Sequence, residues 1–209
     1  MATASAPREP ELKDSTLHHL VTSVIYTIIS VIVLGLIYPA VIWAIGELFF
    51  HHQAEGSLLY DAHGTLIGSQ LVGQSFTKPG YFHGRPSAAG KGYDPTSTGG
   101  TNLGPTSKKL IDSTKSAIAA LRKENPDATG PIPMDLVTSS ASGIDPDISP
   151  EGASYQAVRV AKARAVSVKA VRALIAAHVT PRQLGLLGEP RVNVLDLNRA
   201  LDAQGASTK

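Results

Sequence analysis

Hydrophobic positions fall into two regimes along the chain. From Leu20 to Gly46 the run LVTSVIYTIISVIVLGLIYPAVIWAIG carries no charge. As a helix it would reach about 40 Å, against a bilayer hydrocarbon core of about 30 Å. The pattern predicts one transmembrane helix over 20–46, with Pro39 as the kink site and Trp43, Phe49 and Phe50 at the level of an aromatic belt. Buried core helices seldom run so far without a charge. A cleaved signal peptide has an apolar run about half as long, behind a more basic arm. The run therefore reads as an uncleaved anchor behind a polar, disordered arm at 1–19.

Beyond residue 50 the periods shorten. SLLYDAHGTLIGSQLVG (57–73) reads as a hairpin turning at Asp61-Ala62-His63-Gly64. Residues 74–104, rich in Gly, Pro and Ser, read as a loop of the length that is usually functional or held by a partner. Pro105 at a first helical position opens a helix to about Asn125, with Leu110, Ile111, Thr114, Ala117, Ile118 and Leu121 in helical spacing. DLVTSS (135–140) reads as a short strand. Ser149, Pro150 and Glu151 start a helix to about His178, striped by Ala157, Val160, Ala161, Val168, Val171 and Ile175. Thr180-Pro181 signals a short helical turn, RVNVL (191–195) a strand, and Asp196 caps a last helix through about Ala203. The order β-β-α-β-α-β-α makes residues 51–209 an α+β domain with a small sheet.

Composition narrows the function. The chain has no cysteine, which excludes disulfide frameworks, thiolate catalysis and Cys-based metal sites. A net charge of +2 and 5% aromatic residues do not fit a nucleic-acid binder. Arg8 and Lys13 precede the span, and no basic residue follows it until Lys78. The positive-inside rule then puts the N-terminus in the cytoplasm and the large domain outside, in a bacterium the periplasm.

Motifs with enzymatic overtones fail on their own terms. GRPSAAGKG (84–92) separates its first glycine from the Gly-Lys pair by one residue too many for a P-loop and has Gly92 where Ser or Thr would bind magnesium. SSASGIDPDISP (139–150), with His178 downstream, lacks the nucleophile elbow of a serine hydrolase and the spacing of a calcium loop. The His pairs at 18–19 and 51–52 read as polar flanks of the span. No catalytic or metal-ligating set is assigned.

Arg164 stands out. On a helical wheel it lies within about 20° of Ala157, in the middle of the apolar stripe, while Arg159 and Lys162 point outward. A buried guanidinium needs a partner, and Asp145, Asp147 and Asp196 are the candidates. The alternative is a side chain snorkelling at the stripe's edge.

Six segments occur together: GSLL (56–59), LVGQSF (71–76), YFHGRPSA (81–88), GGTNLGPTS (99–107), PMDLVTSSASGIDPDISPEGASYQAVRVAKAR (133–164) and GEPRVNVLDLNRALD (188–202). In this order they resemble the C-subunit family (KdpC) of the Kdp potassium-transporting ATPases. The resemblance implies an accessory subunit of a bacterial inner-membrane complex. Its partners would be a channel-like K⁺-selecting subunit, a P-type ATP-hydrolysing subunit and a very small membrane peptide. It implies a role in assembly and activity, as a catalytic chaperone that raises the ATP affinity of the hydrolysing subunit. ATP, Mg²⁺ and K⁺ would be handled by the partners, with no cofactor of the chain's own. An outward domain without a phosphate-cradling loop could affect ATP affinity only through the conformational equilibrium of the complex. Tyr81, Phe82 and Arg85 in the long loop are the expected partner contacts, since aromatic and Arg residues anchor interfaces. The alternative is that YFHGRPSA is an internal structural turn. A membrane-anchored periplasmic enzyme or solute-binding module acting alone is the rival function.

Overall fold

The computed structural model describes residues 15–61 and 63–206, so residues 1–14 of the N-terminal arm lie outside the described residues, as does Ala62 of the hairpin turn, while residues 16–19 of the arm, expected to be disordered, are helical. The chain divides into a unit ending at Glu55 and a second beginning at Gly56.

In the first unit a continuous helical run, Thr16–Phe49, is long and apolar enough to cross a membrane. It starts earlier and ends later than the expected 20–46 because Thr16, the flanking His pair 18–19, Glu47 and Leu48 all continue the helix. It comprises α1 (Thr16–Ser30), a π-helical stretch (Val31–Ile37) and α2 (Tyr38–Phe49), followed by a short α3 (His51–Ala54). None of the residues of α1, the π-stretch or α2 is buried. An apolar surface exposed all round is a surface for lipid or for other helices. A π-helical stretch, Val31–Ile37, ends just before Pro39, the residue read as the kink site. Proline has no N–H for the carbonyl one turn earlier, and the Tyr38 amide bonds to the Val33 carbonyl five residues back.

The second unit is α+β. β1 (Leu58–Tyr60) and β2 (Leu66–Ser69) form the expected antiparallel hairpin. Its turn is held by Asp61, whose carboxylate accepts from the amides of His63 and Thr65, both at 2.8 Å, with Gly64 at a positive φ. After a long irregular segment come α4 (Lys108–Glu124), α5 (Pro150–Arg164), α6 (Val168–Ala177) and α7 (Val194–Ala206). β3 (Asp147–Ile148), β5 (Arg191–Asn193) and β4 (Val179–Thr180) make a three-stranded antiparallel sheet in the order β3-β5-β4. The core gathers α5, α6 and α7 around this sheet: Ala153, Ala157, Val160 and Ala161 from α5, Val171 and Ile175 from α6, Leu197 and Leu201 from α7, Ile148 and Val192 from the strands.

Several expectations are corrected. α4 begins at Lys108, not Pro105, because the Gly104 carbonyl is taken up in a turn to the Ser107 amide. DLVTSS is not a strand: Met134–Leu136 form a 3₁₀ turn, and Thr138 folds back onto the Met134 carbonyl through both its amide and its hydroxyl. The long helix from Ser149 breaks in two. Ala165 adopts φ 54°, and the amides of Ala165 and Val166 return to the carbonyls of Lys162 and Ala161 in a Schellman closure. Ser167 then caps α6 by accepting from the Ala170 amide. The start of α5 is as read, with the Ser149 hydroxyl accepting from Gly152 at 2.8 Å. Thr180 is in strand β4, not a helical turn, since it pairs with Arg191. The cap of α7 is Asn193, whose side-chain oxygen accepts from the Asp196 amide; Asp196 lies inside the first turn.

Candidate functional site

The segment between β2 and α4 has no regular structure, yet it is bound closely to the domain. Two buried carboxamides do most of this. Asn198, 2% exposed on α7, accepts from the Phe82 amide at 2.8 Å and donates to the Phe82 carbonyl at 3.0 Å. Gln156, 1% exposed on α5, accepts from the His83 amide at 2.9 Å and donates to the His83 carbonyl at 3.0 Å. Each side chain satisfies both backbone groups of one residue, as a neighbouring strand would.

Three arginines extend the grip. Arg159 donates to the carbonyls of Pro79 and Tyr81, to the Asn125 side-chain oxygen at 3.0 Å and to the Gln156 oxygen at 2.7 Å. It is half-buried, so its expected outward direction is corrected. Burial lowers its pKa while Glu124 opposes that, and the guanidinium stays a cation. Arg164 does need a partner, but none of Asp145, Asp147 and Asp196 supplies it. Its guanidinium pairs with Asp202 at 2.8 Å, donates to the Gly80 carbonyl and lies over the Tyr81 ring 4.7 Å from the centroid. Wheel geometry located Arg164, but it could not show which acid the fold delivers. Arg85 pairs with Asp145 at 3.0 Å, and its Nε is buried without a partner among the described residues.

The aspartates have other duties. Asp145 accepts from the Asp147 amide, and Asp147 pairs with Arg191 at 3.0 Å. Burial, and then the charge of Asp145, raise the Asp147 pKa against the pull of Arg191. Asp196 accepts from the Gln70 side chain at 2.9 Å. Tyr93 donates to the Arg85 carbonyl at 2.6 Å, and burial with the Asp145 charge pushes its phenol up to about 12. Gly84 and Gly73 admit this tyrosine: a Cβ at Gly84 would collide with its hydroxyl, and one at Gly73 with its ring and with the Asp145 carbonyl. In the P-loop-like stretch the Ser87 hydroxyl accepts from the amides of Ala89 and Tyr93 and donates to the Gly143 carbonyl. The Ala89 amide is thus taken up by Ser87 and the Gly92 amide by the Ala89 carbonyl, and the Ser87 hydroxyl ties the stretch to Gly143.

The expected contact trio therefore separates. Phe82 is a core residue with 0% exposure and has no surface to offer. Tyr81 is half-buried and donates to Asp202. Arg85 is half-buried at the edge of a cleft of about 340 Å³ under α4, with His83, Tyr93, Leu121 and Glu124 among its lining. His83 there faces Glu124 at 3.3 Å and the Lys78 carbonyl at 3.1 Å. Burial, and then the Arg159 charge, lower its pKa, partly offset by Lys78 and Glu124. Of YFHGRPSA, Phe82 is buried and the backbone of Tyr81, Phe82 and His83 is bound into the fold, while the side chains of Tyr81 and Arg85 keep part of their surface.

One arrangement went unread in the sequence. Glu47, His51 and Glu55 stand at i, i+4 and i+8, with ligand atoms within 4.8 Å of one another. Glu47 and His51 already bond at 2.9 Å across the break between α2 and α3, an ordinary local pairing of an exposed acid and imidazole.

Together these features define a protein with, among the described residues, one candidate membrane-spanning helix and an α+β domain whose buried polar side chains bind its own long loop. Residues 20–203 match the family "K+-transporting ATPase, c chain". The Potassium-transporting ATPase KdpC subunit of Acidobacterium capsulatum is 54% identical, over 89% of this chain and 98% of its own. Those of Koribacter versatilis and Myxococcus xanthus are 50% identical over 88% and 94%, and 51% identical over 84% and 83%, respectively. The chain belongs to the KdpC family of K⁺-transporting ATPase subunits.

Proposed function

We propose that this subunit does no hydrolysis of its own and acts by holding the K⁺-transporting assembly together in its active arrangement. The observation that carries this is the use of the polar residues. Gln156, Arg159, Asn198 and Arg164 each bind backbone of residues 79–83, and the Ser87 hydroxyl ties the phosphate-loop-like stretch to the Gly143 carbonyl. The arrangement is a scaffold's, with the hydrogen-bonding capacity turned inward.

In this reading the N-terminus is cytoplasmic and the domain from Gly56 lies outside, since Arg8 and Lys13 stand before the span and no Lys or Arg follows it until Lys78. The partners are a channel-like K⁺-selecting subunit, a P-type ATP-hydrolysing subunit and a small membrane peptide. ATP, Mg²⁺ and K⁺ are bound by them. Any gain in ATP affinity then arises by coupling: the subunit favours the state of the complex that binds nucleotide more tightly.

The test is nucleotide binding and turnover by the purified full chain beside the assembled complex. The chain alone is expected to show no saturable ATP binding at physiological concentrations, while the complex binds ATP more weakly when the chain is left out. Saturable binding by the chain alone would contradict the coupling mechanism. Digestion of the domain by a protease confined to the cytoplasmic face would contradict the orientation.

A further inference from the structure

The turn between β4 and β5 is built unlike the rest of the domain. In PRQLGLLGE (181–189) Leu184 is 95% exposed, Leu186 77% and Leu187 55%. Burying apolar side chains is the main favourable contribution to folding, so a cluster of leucines held in water marks a surface made to be covered.

This turn is held in one shape. Gln183 and Leu187 exchange backbone hydrogen bonds in both directions at 2.9 Å, and Arg182 pairs with Glu189 across the base. Gly185 and Gly188 have positive φ, and so does Leu184, at 53°. Gly or Asn would take that left-handed conformation with less strain. A leucine there keeps an apolar side chain at the tip where the turn alone would call for none.

Charge decides what covers it. Adsorption to an anionic bilayer draws on free basic side chains beside the apolar ones. Here Arg182 is matched by Glu189, and Arg191, at the start of β5, by Asp147 at 3.0 Å. A rigid apolar knob with its charges matched suits a dry, charge-poor socket in a protein, where ordering costs little because the shape is already set. We propose that the Leu184–Leu187 knob inserts into an apolar socket on another subunit of the K⁺-transporting ATPase assembly. The proposal rests on the reading of this chain as an assembly-holding subunit, and it moves the contact surface from the long loop to this turn.

Because the chain contains no cysteine, Leu184→Cys accepts a single environment-sensitive fluorophore. The labelled full chain is reconstituted into phosphatidylglycerol–phosphatidylethanolamine vesicles, alone and together with the other subunits. The label is expected to stay water-exposed in vesicles alone, and to shift to the blue and resist iodide quenching in the assembly. In parallel, an unlabelled Leu184→Ser/Leu186→Ser/Leu187→Ser chain is expected to retain the other subunits at least about tenfold less well than wild type in co-purification, with an unchanged melting temperature of its own. A blue shift in vesicles without partners would make the bilayer the occupant and overturn the proposal. So would a water-exposed label in the assembly, or wild-type retention by the triple variant. If the wild-type chain itself fails to hold the other subunits, the assembly reading falls, and the socket with it.

Discussion

Two irregular segments of the domain, 70–107 and 181–190, differ in almost everything but their lack of helix and strand. The first is long and carries the aromatic and Arg residues that mark interfaces, yet Asn198, Gln156, Arg159 and Arg164 bind it into the fold and Phe82 lies in the core. The second is short and leucine-rich, and its apolar side chains project into solvent. The difference teaches that irregular backbone is not free surface. An irregular segment becomes interior when buried amide side chains satisfy its backbone, and stays a surface when its backbone satisfies itself, as Gln183 and Leu187 do.

The contrast can be broken from its strong end. In chemical denaturation of the full chain in mild detergent, followed by near-UV dichroism, Phe82→Ala should cost about 3–5 kcal/mol, the range for an aromatic removed from a core. Asn198→Ala should come next, at about 2–4 kcal/mol, because the Phe82 amide and carbonyl lose their partner while still buried. If either variant were as stable as wild type, the loop would not be part of the core. Ser149→Ala removes the cap of α5 and should cost about 1 kcal/mol.

A smaller effect concerns His83. Its pKa is lowered in the fold, chiefly by burial and then by Arg159, so the unfolded chain binds a proton more readily than the folded one. The contribution is complete above the ordinary value of 6.5 and is lost as pH falls through and below it. Stability between pH 7 and about 5.5 should therefore decline less in His83→Gln than in wild type, as read from denaturation midpoints at each pH. Smallest of all on stability is the leucine turn. The triple Leu→Ser chain should unfold within about 0.5 kcal/mol of wild type, although the proposed docking of the knob makes its expected effect on assembly large. That separation of folding from association is the sharpest form of the comparison.

Much of this was legible in the sequence, wherever a local rule governs. The apolar run declared a helix long and apolar enough to cross a membrane, Asp61 and Gly64 the hairpin, Ser149-Pro150-Glu151 the start of α5, and the apolar spacing of α5 and α6 their buried face. The break between those helices was not legible. The Schellman turn falls on Ala165 where glycine is usual, and Ser167 was the one available sign. β3 and β4 have two residues each, too short for any period, and exist because β5 lies between them. Pairings across the fold, Arg164 with Asp202 and Gln156 with His83, are set by tertiary geometry that no spacing encodes. The leucine turn carried a visible signal, QLGLL between two proline-marked ends. It was missed because short apolar runs are ordinarily strand or core.

The central claim is that this subunit contributes structure and not chemistry to K⁺ transport. The most direct measurement is ATP-driven K⁺ uptake and ATP turnover in vesicles holding the other subunits, with and without the added chain, beside the chain alone. The account predicts no turnover by the chain alone, little transport without it, and recovery on its addition in proportion to the assembled complex. Turnover by the purified chain that a point substitution within residues 56–206 abolishes would contradict it.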